Sequence, residues 1–214
     1  MIKSTKEERR TFFMYYGWTI PVFLVVFWVT FYFVFNQIYA VKPFEQLTFF
    51  YAAYGLKDNS FHEKMRKELE PQPCYEVNYY DYSLNDKTIY SKYSAVRDNC
   101  DFFVFSEYDL TEIAETAENI FMPIDGDMIS RINLPAHYTF YEYNSVTYGI
   151  KLFDKDDETY NEQTKFKDYI NFTYEDKKDS FYLVINKKSA NFSVESNHIL
   201  GYLGMEYLFN HVGA

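Results

Sequence analysis

From Thr11 to Val41 the chain carries no charged residue, and after Val41 the pattern breaks into short alternating elements. The apolar core of the first stretch, Trp18–Ala40, reads WTIPVFLVVFWVTFYFVFNQIYA. A helix of that length spans roughly 35 Å, enough for the roughly 30 Å hydrocarbon layer. Pro21 falls in its first turn, where a missing N–H costs least. Trp18 and Tyr39 sit near its two ends, as interfacial aromatics do. The run is too long for the apolar region of a cleaved signal peptide, so it predicts an uncleaved single-pass anchor over 18–41.

Downstream, LTFFYAAY (Leu47–Tyr54) predicts a buried strand ending at Gly55. Ser60-Phe-His-Glu63 reads as a capping box, followed by Phe61, Met65 and Leu69 on one helical face and stopped by Pro71 and Pro73. Tyr75–Tyr82 and Cys100–Phe105 predict two further strands, with a polar stretch, Ser83–Asn99, between them. Asp109-Leu-Thr-Glu112 reads as a second capping box, opening a helix. Phe121–Ile124 is a short extended piece. This β-α-β-x-β-α-β order implies parallel pairing, with the functional edge at the carboxyl ends of the strands. Tyr54, Ser106, Glu107 and Tyr108 lie there and are the candidate ligand-binding residues, the two tyrosines as stacking surfaces.

Tyr138–Phe153 predicts a hairpin turning at Asn144-Ser145. Asp154–Lys167 reads as a charged loop or short solvated helix. Phe181–Asn186 is one more strand, Ser189-Ala-Asn191 punctuates, and Ser196 begins a final helix carrying Ile199, Leu200, Leu203, Tyr207 and Leu208. Residues 125–180 supply too few aliphatics for a core of their own. The chain therefore predicts a head over 1–17, the anchor, and one compact α/β domain over 42–214, with a mostly parallel sheet flanked by helices. The strand ends at Tyr54, Ser106 and Tyr108 are expected to line an open, shallow groove.

Charge sets the expected orientation. Lys3, Lys6, Arg9 and Arg10 precede the span, and only Lys42 follows closely. The positive-inside rule places the N-terminus in the cytoplasm and the domain outside the cell membrane. Beyond the head, 17 basic and 29 acidic residues remain, within an overall formal charge of -10. That balance argues against nucleic acid as a partner. The 45 Tyr and Phe among 214 residues, with only 7 Gly and 6 Pro, exclude a disordered chain.

Chemistry-bearing motifs are sparse. There is no phosphate loop, dinucleotide fingerprint, nucleophile elbow or zinc-binding His pair, and no cofactor or catalytic residue is implied. An enzymatic reading would rest on Glu107 with Asp81 alone. His62 and His198 read as surface residues near helix starts. Asp125-Gly-Asp127 and Asp154–Glu158 lack the spacing of a calcium loop and read as solvated acidic loops. Cys74 and Cys100 are candidates for a disulfide in an oxidising exterior. In a sheet of order 2-1-3, however, their strands start about 10 Å apart, beyond ordinary bridging distance. Asn171-Phe-Thr and Asn191-Phe-Ser match the glycosylation pattern.

Four stretches resemble one lobe of the bacterial extracellular solute-binding proteins that serve carbohydrate ABC transporters. LTFFYAAYGLKDNSFHEKMRKEL resembles the opening strand and helix, and CDFFVFSEYDLTEIAE the strand that runs into a capped helix. YGIKLF resembles the crossing strand, and FYLVINKKSANFSVESNHILGYL the return strand and the helix after it. The resemblance implies a membrane-anchored binding or accessory module, with permease subunits, a carbohydrate and the lipid bilayer as partners. It departs from the family in a second lobe cut down to about residues 125–180. The alternative is an assembly subunit acting through its transmembrane helix, where Asn36 and Gln37 offer polar contacts to partner helices.

Overall fold

A computed structural model describes residues 5–69, 74–83, 89–175, 177–193 and 198–212, with backbone alone at 83, 89, 90 and 177. It forms two compact units, Met1–Val41 and Lys42–Ala214.

In the first unit, α1 (Lys6–Tyr16) opens with a reciprocal capping box between Thr5 and Glu8. After Gly17 and Trp18, α2 runs from Thr19 to Tyr39. Its 21 residues are long and apolar enough to cross a membrane, and none of them is buried. Phe27, Phe31, Phe35 and Tyr39 stack at four-residue spacing, with centroids 6.3, 5.8 and 4.2 Å apart.

The second unit is built on a six-stranded sheet. Its elements are β1 (Gln46–Ala53), α3 (Ser60–Glu68), β2 (Glu76–Ser83), α4 (Ile89–Val96), β3 (Phe102–Ser106), α5 (Glu107–Glu112), α6 (Ala117–Ile120), α7 (Gly126–Arg131), β4 (Phe140–Tyr143), β5 (Val146–Phe153), α8 (Glu158–Thr164), β6 (Thr173–Tyr174), β7 (Lys177–Lys178), β8 (Phe181–Ile185) and α9 (Leu200–Tyr207). The strand order is β2-β1-β3-β8-β5-β4, with β6-β7 as a separate small ribbon.

Alternation along the strands sends side chains to two cores. Leu47, Phe49 and Tyr51 of β1, Phe102 and Val104 of β3, and Phe181 and Leu183 of β8 pack with α3 and α9. Phe50, Phe103, Phe105, Tyr182 and Val184 pack on the other face with Tyr93 of α4, Leu110 of α5 and Ala117 of α6. Helices on both faces explain why β1, β3 and β8 are unbroken apolar runs.

The sheet is mixed rather than mostly parallel. Only β2-β1-β3 pair in parallel; the joins β3-β8, β8-β5 and β5-β4 are antiparallel. The cause lies in the connection. β5 ends at the edge where Phe153 pairs with Phe181, and the following segment stays there, so β8 must start at that edge and run back. The hairpin turns at Asn144 and Ser145, both at positive φ (49° and 62°), the backbone a two-residue turn demands.

Several local expectations shift. Ser60 is the first residue of α3 rather than its cap, and its N–H and hydroxyl both donate to Asp58. The second cap is Ser106, three residues earlier than expected. The polar stretch before β3 contains α4, and Phe121–Ile124 makes a single bridge, from Phe121 to Asn186. The acidic run 154–158 is the solvent-facing loop expected, with residues 155–158 exposed, and it leads into the short helix α8. Asp154 accepts the N–H groups of Asp156 and Asp157 and pairs with Lys151 at 2.7 Å, Asp157 caps α8, and Tyr160, Asn161 and Thr164 are buried. Asp125 likewise caps α7. Pro71, Pro73 and Ser196 lie outside the described residues.

Candidate functional site

At the carboxyl edge of the parallel strands, β1 leads to Tyr54 and β3 ends at Ser106. Ser106 is buried and its hydroxyl is committed. It accepts the Asp109 amide at 3.1 Å and donates to Asp109 Oδ2 at 2.7 Å. The Glu107 amide donates to the Ser180 carbonyl, and its carboxylate lies 4.0 Å from Lys155 Nζ. The Tyr108 amide donates to Asp179 Oδ2 at 3.0 Å, while its ring is 67% exposed. Tyr54 donates its amide to the Asn171 carbonyl, and its ring stacks on Tyr174 at 5.8 Å. Burial, then the negative charges of Asp179 and Asp109, raise its hydroxyl pKa.

These contacts share one origin. Residues 169–175 and 178–180 lie across the edge, held by Asn171 to Gly55, Lys57 to Tyr169 and Glu107 to Ser180. The edge expected to be an open groove at Tyr54, Ser106 and Tyr108 is covered at Tyr54 and Ser106, where the short return segment folds back onto the sheet, and stays open at Tyr108. Asp81 and Glu107 do not converge: Asp81 accepts the Leu56 amide at 3.1 Å, and Glu107 faces Lys155.

The opposite edge carries a denser polar network. Asp101 and Thr48 exchange bonds at 2.8 Å: the Thr48 amide donates to Asp101 Oδ2, and the Asp101 amide donates to the Thr48 carbonyl. Asp101 Oδ1 also accepts from Ser189 Oγ at 2.5 Å and Asn191 Nδ2 at 2.8 Å. Asn191 Nδ2 shares its hydrogens with the carbonyls of Pro43 and Gln46. Asn186 Nδ2 donates to the carbonyls of Arg97 and Cys100. Burial raises the Asp101 carboxyl to about 6, against the pull of its three donors. The loop after β8 is thereby tied to the starts of β1 and β3.

Beside this network opens a cavity of about 480 Å³. Gln46 comes from β1 and Asn78 and Tyr80 from β2. Asp98 and Asn99 come from the turn before β3, and Lys188 from the loop after β8. Lys188 Nζ lies 3.0 Å from both Asp98 oxygens, and Arg97 Nε donates to Asp98 at 3.2 Å. Sequence reasoning directed attention to the other edge. The available signal was the polar pair Ser189 and Asn191 directly after one apolar strand, and Asp101 directly before another.

Cys74 and Cys100, the candidates for a disulfide, are both free thiols. Cys74 packs in one core and Cys100 in the other, with the sheet between them. Burial lifts their thiols to about 11 and about 12. His62 is buried, not on the surface. Its Nδ1 lies 3.2 Å from the Asn59 carbonyl, which can only accept, so Nδ1 carries the proton and Nε2 accepts from Tyr51 Oη at 3.0 Å. Burial lowers its pKa to about 4. His198 is half-buried and stacks on Phe44 at 4.1 Å. Asn191 is fully buried, so its glycosylation pattern is closed to a glycan. Among the described residues no group of three His, Cys, Asp or Glu is placed to hold a metal ion.

Comparison with protein-family models and with curated proteins gave no match.

Proposed function

We propose that the chain is a membrane-anchored binding or accessory module, held by α2 and acting through contacts of the Lys42–Ala214 unit rather than by catalysis. The observation that carries this reading is α2 itself: a largely apolar helix of 21 residues with no buried side chain, in a chain whose other described elements from Lys42 onward form a compact unit of their own. In the finer reading the unit stands outside the cell membrane and serves a carbohydrate ABC transporter. The resemblance to a solute-binding lobe is supported by the order β2-β1-β3, with β8 returning antiparallel beside β3 and α9 following it. The carboxyl edge, covered at Tyr54 and Ser106, argues for a module that does not close as a clamshell there.

The aromatic stripe of α2 favours a second reading, in which that helix packs against partner helices as an assembly element. In-membrane cross-linking and co-purification separate the two. Replacing Thr19–Tyr39 by a Leu/Ala span keeps any permease partner if the outer unit makes the contact, and loses it if the helix does. A chain that captures no membrane protein in either form sinks the accessory role.

A further inference from the structure

We propose that α2 pairs with α2 of a second copy of this chain, through a polar seam on the far side of the helix from its aromatic stripe. The inference rests on reading α2 as a membrane span. Thr19, Phe23, Val26, Thr30, Phe33 and Gln37 follow one another at spacings of four, three, four, three and four residues. That alternation is the seam of a left-handed helix pair, which needs no glycine at the contact. At about 100° per residue the six stay within about 80° of one another, and their centre lies about 140° from that of Phe27, Phe31, Phe35 and Tyr39.

Of the four Thr, Asn and Gln residues in the span, three lie on this seam: Thr19, Thr30 and Gln37. The Thr19 hydroxyl donates to the Tyr16 carbonyl at 2.6 Å. Thr30 lies roughly 14–17 Å from either end of the helix, beyond the reach of water or headgroups. Among the described residues its hydroxyl and the Gln37 amide have no hydrogen-bond partner. A polar group on a wetted surface is satisfied by water, whereas one in hydrocarbon stays unpaired unless protein supplies the partner. Copies of one chain enter the membrane in one orientation, so each seam residue meets its own counterpart at equal depth. A hydroxyl and a carboxamide both donate and accept, so Thr30 pairs with the second copy's Thr30 and Gln37 with its Gln37. A helix of another sequence would need such groups at the same depths. Asn36, the fourth, falls about 100° off the seam, in the last turn of the helix.

The test is disulfide trapping of the full chain in native membranes under a copper–phenanthroline oxidant, with single cysteines placed along α2. The parent chain, whose two thiols are buried, is the blank. Linked dimers are expected from Val26→Cys and Phe33→Cys, and none from Phe31→Cys or Phe35→Cys. Energy transfer between donor- and acceptor-labelled chains in lipid vesicles then measures the pairing, which Thr30→Val and Gln37→Leu should each weaken by about threefold or more. Trapping on the stripe, trapping indifferent to position, or pairing unchanged in both polar variants overturns the proposal. So does a seam cysteine that links only to a different membrane protein. A chain that stays monomeric in the membrane overturns this inference alone, and one that leaves the membrane overturns the anchor reading beneath it.

Discussion

Asn191 and Asp101, 90 residues apart in the chain, meet at 2.8 Å from Nδ2 to Oδ1, and the loop after β8 is fastened to the start of β3 through that bond. The same carboxylate takes the first buried amide of β1 that alternation leaves over, that of Thr48. One side chain therefore joins the parallel half of the sheet to the return strand.

Removing that acceptor is expected to be costly. Asp101→Ala strands the Thr48 amide, the Ser189 hydroxyl and the Asn191 amide, and should destabilise the fold by about 3 kcal/mol. Urea unfolding of the full chain in micelles, followed by near-UV circular dichroism, measures it. The carboxyl is raised from 3.8 to about 6, so its contribution is complete below 3.8 and is lost as pH rises through 6. Asp101→Asn should lack that pH dependence.

His62 has the opposite sign. Its folded pKa is depressed from 6.5 to about 4, so its contribution is complete above 6.5 and falls away as pH drops toward 4. The loss amounts to about 3 kcal/mol over that window. In His62→Gln the stability curve between pH 6.5 and 4 should flatten relative to the parent chain. An unchanged slope would mean that His62 takes up its proton equally in the folded and unfolded states, against the depressed pKa.

Close packing of α9 depends on two glycines, Gly204 against β1 and Gly201 against Phe192 in the turn after β8. A Cβ at Gly201 would lie 2.5 Å from the Phe192 ring, and one at Gly204 2.6 Å from Leu47 Cδ1. Gly201→Ala should cost about 1–3 kcal/mol through displacement of that ring. Gly126, in the first turn of α7, has nothing within 4 Å, and Gly126→Ala should be neutral or stabilising by up to about 1 kcal/mol. Melting temperatures of the two variants should move apart.

The hairpin turn offers a gain. Ser145 holds φ 62°, a conformation that costs a residue with a Cβ about 1 kcal/mol. Ser145→Gly should raise stability by up to about that amount, whereas Ser145→Val should lower it. Chemical denaturation with an unchanged slope would place both effects on the folded state.

What the sequence made legible follows from burial. β1, β3 and β8 stand out because both faces are covered and the run is unbroken apolar; the hairpin stands out because Asn144-Ser145 is a turn pair between aromatic arms. The direction of β8 was not legible, since an apolar run reads the same either way and only the path of 154–180 fixes it. α4 hid because Tyr93 and Val96 are set among Ser and Lys. His62 looked like a surface residue beside a helix start, yet Tyr79 of β2 stacks on it at 4.7 Å and Tyr51 of β1 bonds it. The candidate ligand residues were read from a rule about strand ends. The rule does not anticipate a return segment that folds over those ends, as Tyr174 does over Tyr54.

The central claim, that α2 anchors a separately folded module, is tested most directly by alkaline carbonate extraction of cell membranes. A protease site is placed between Val41 and Lys42, the boundary of the two compact units. The uncleaved chain should remain with the membrane pellet, and cleavage should release the Lys42–Ala214 unit as a folded, soluble protein. An uncleaved chain that extracts into the supernatant, or a released unit that unfolds, would contradict the account.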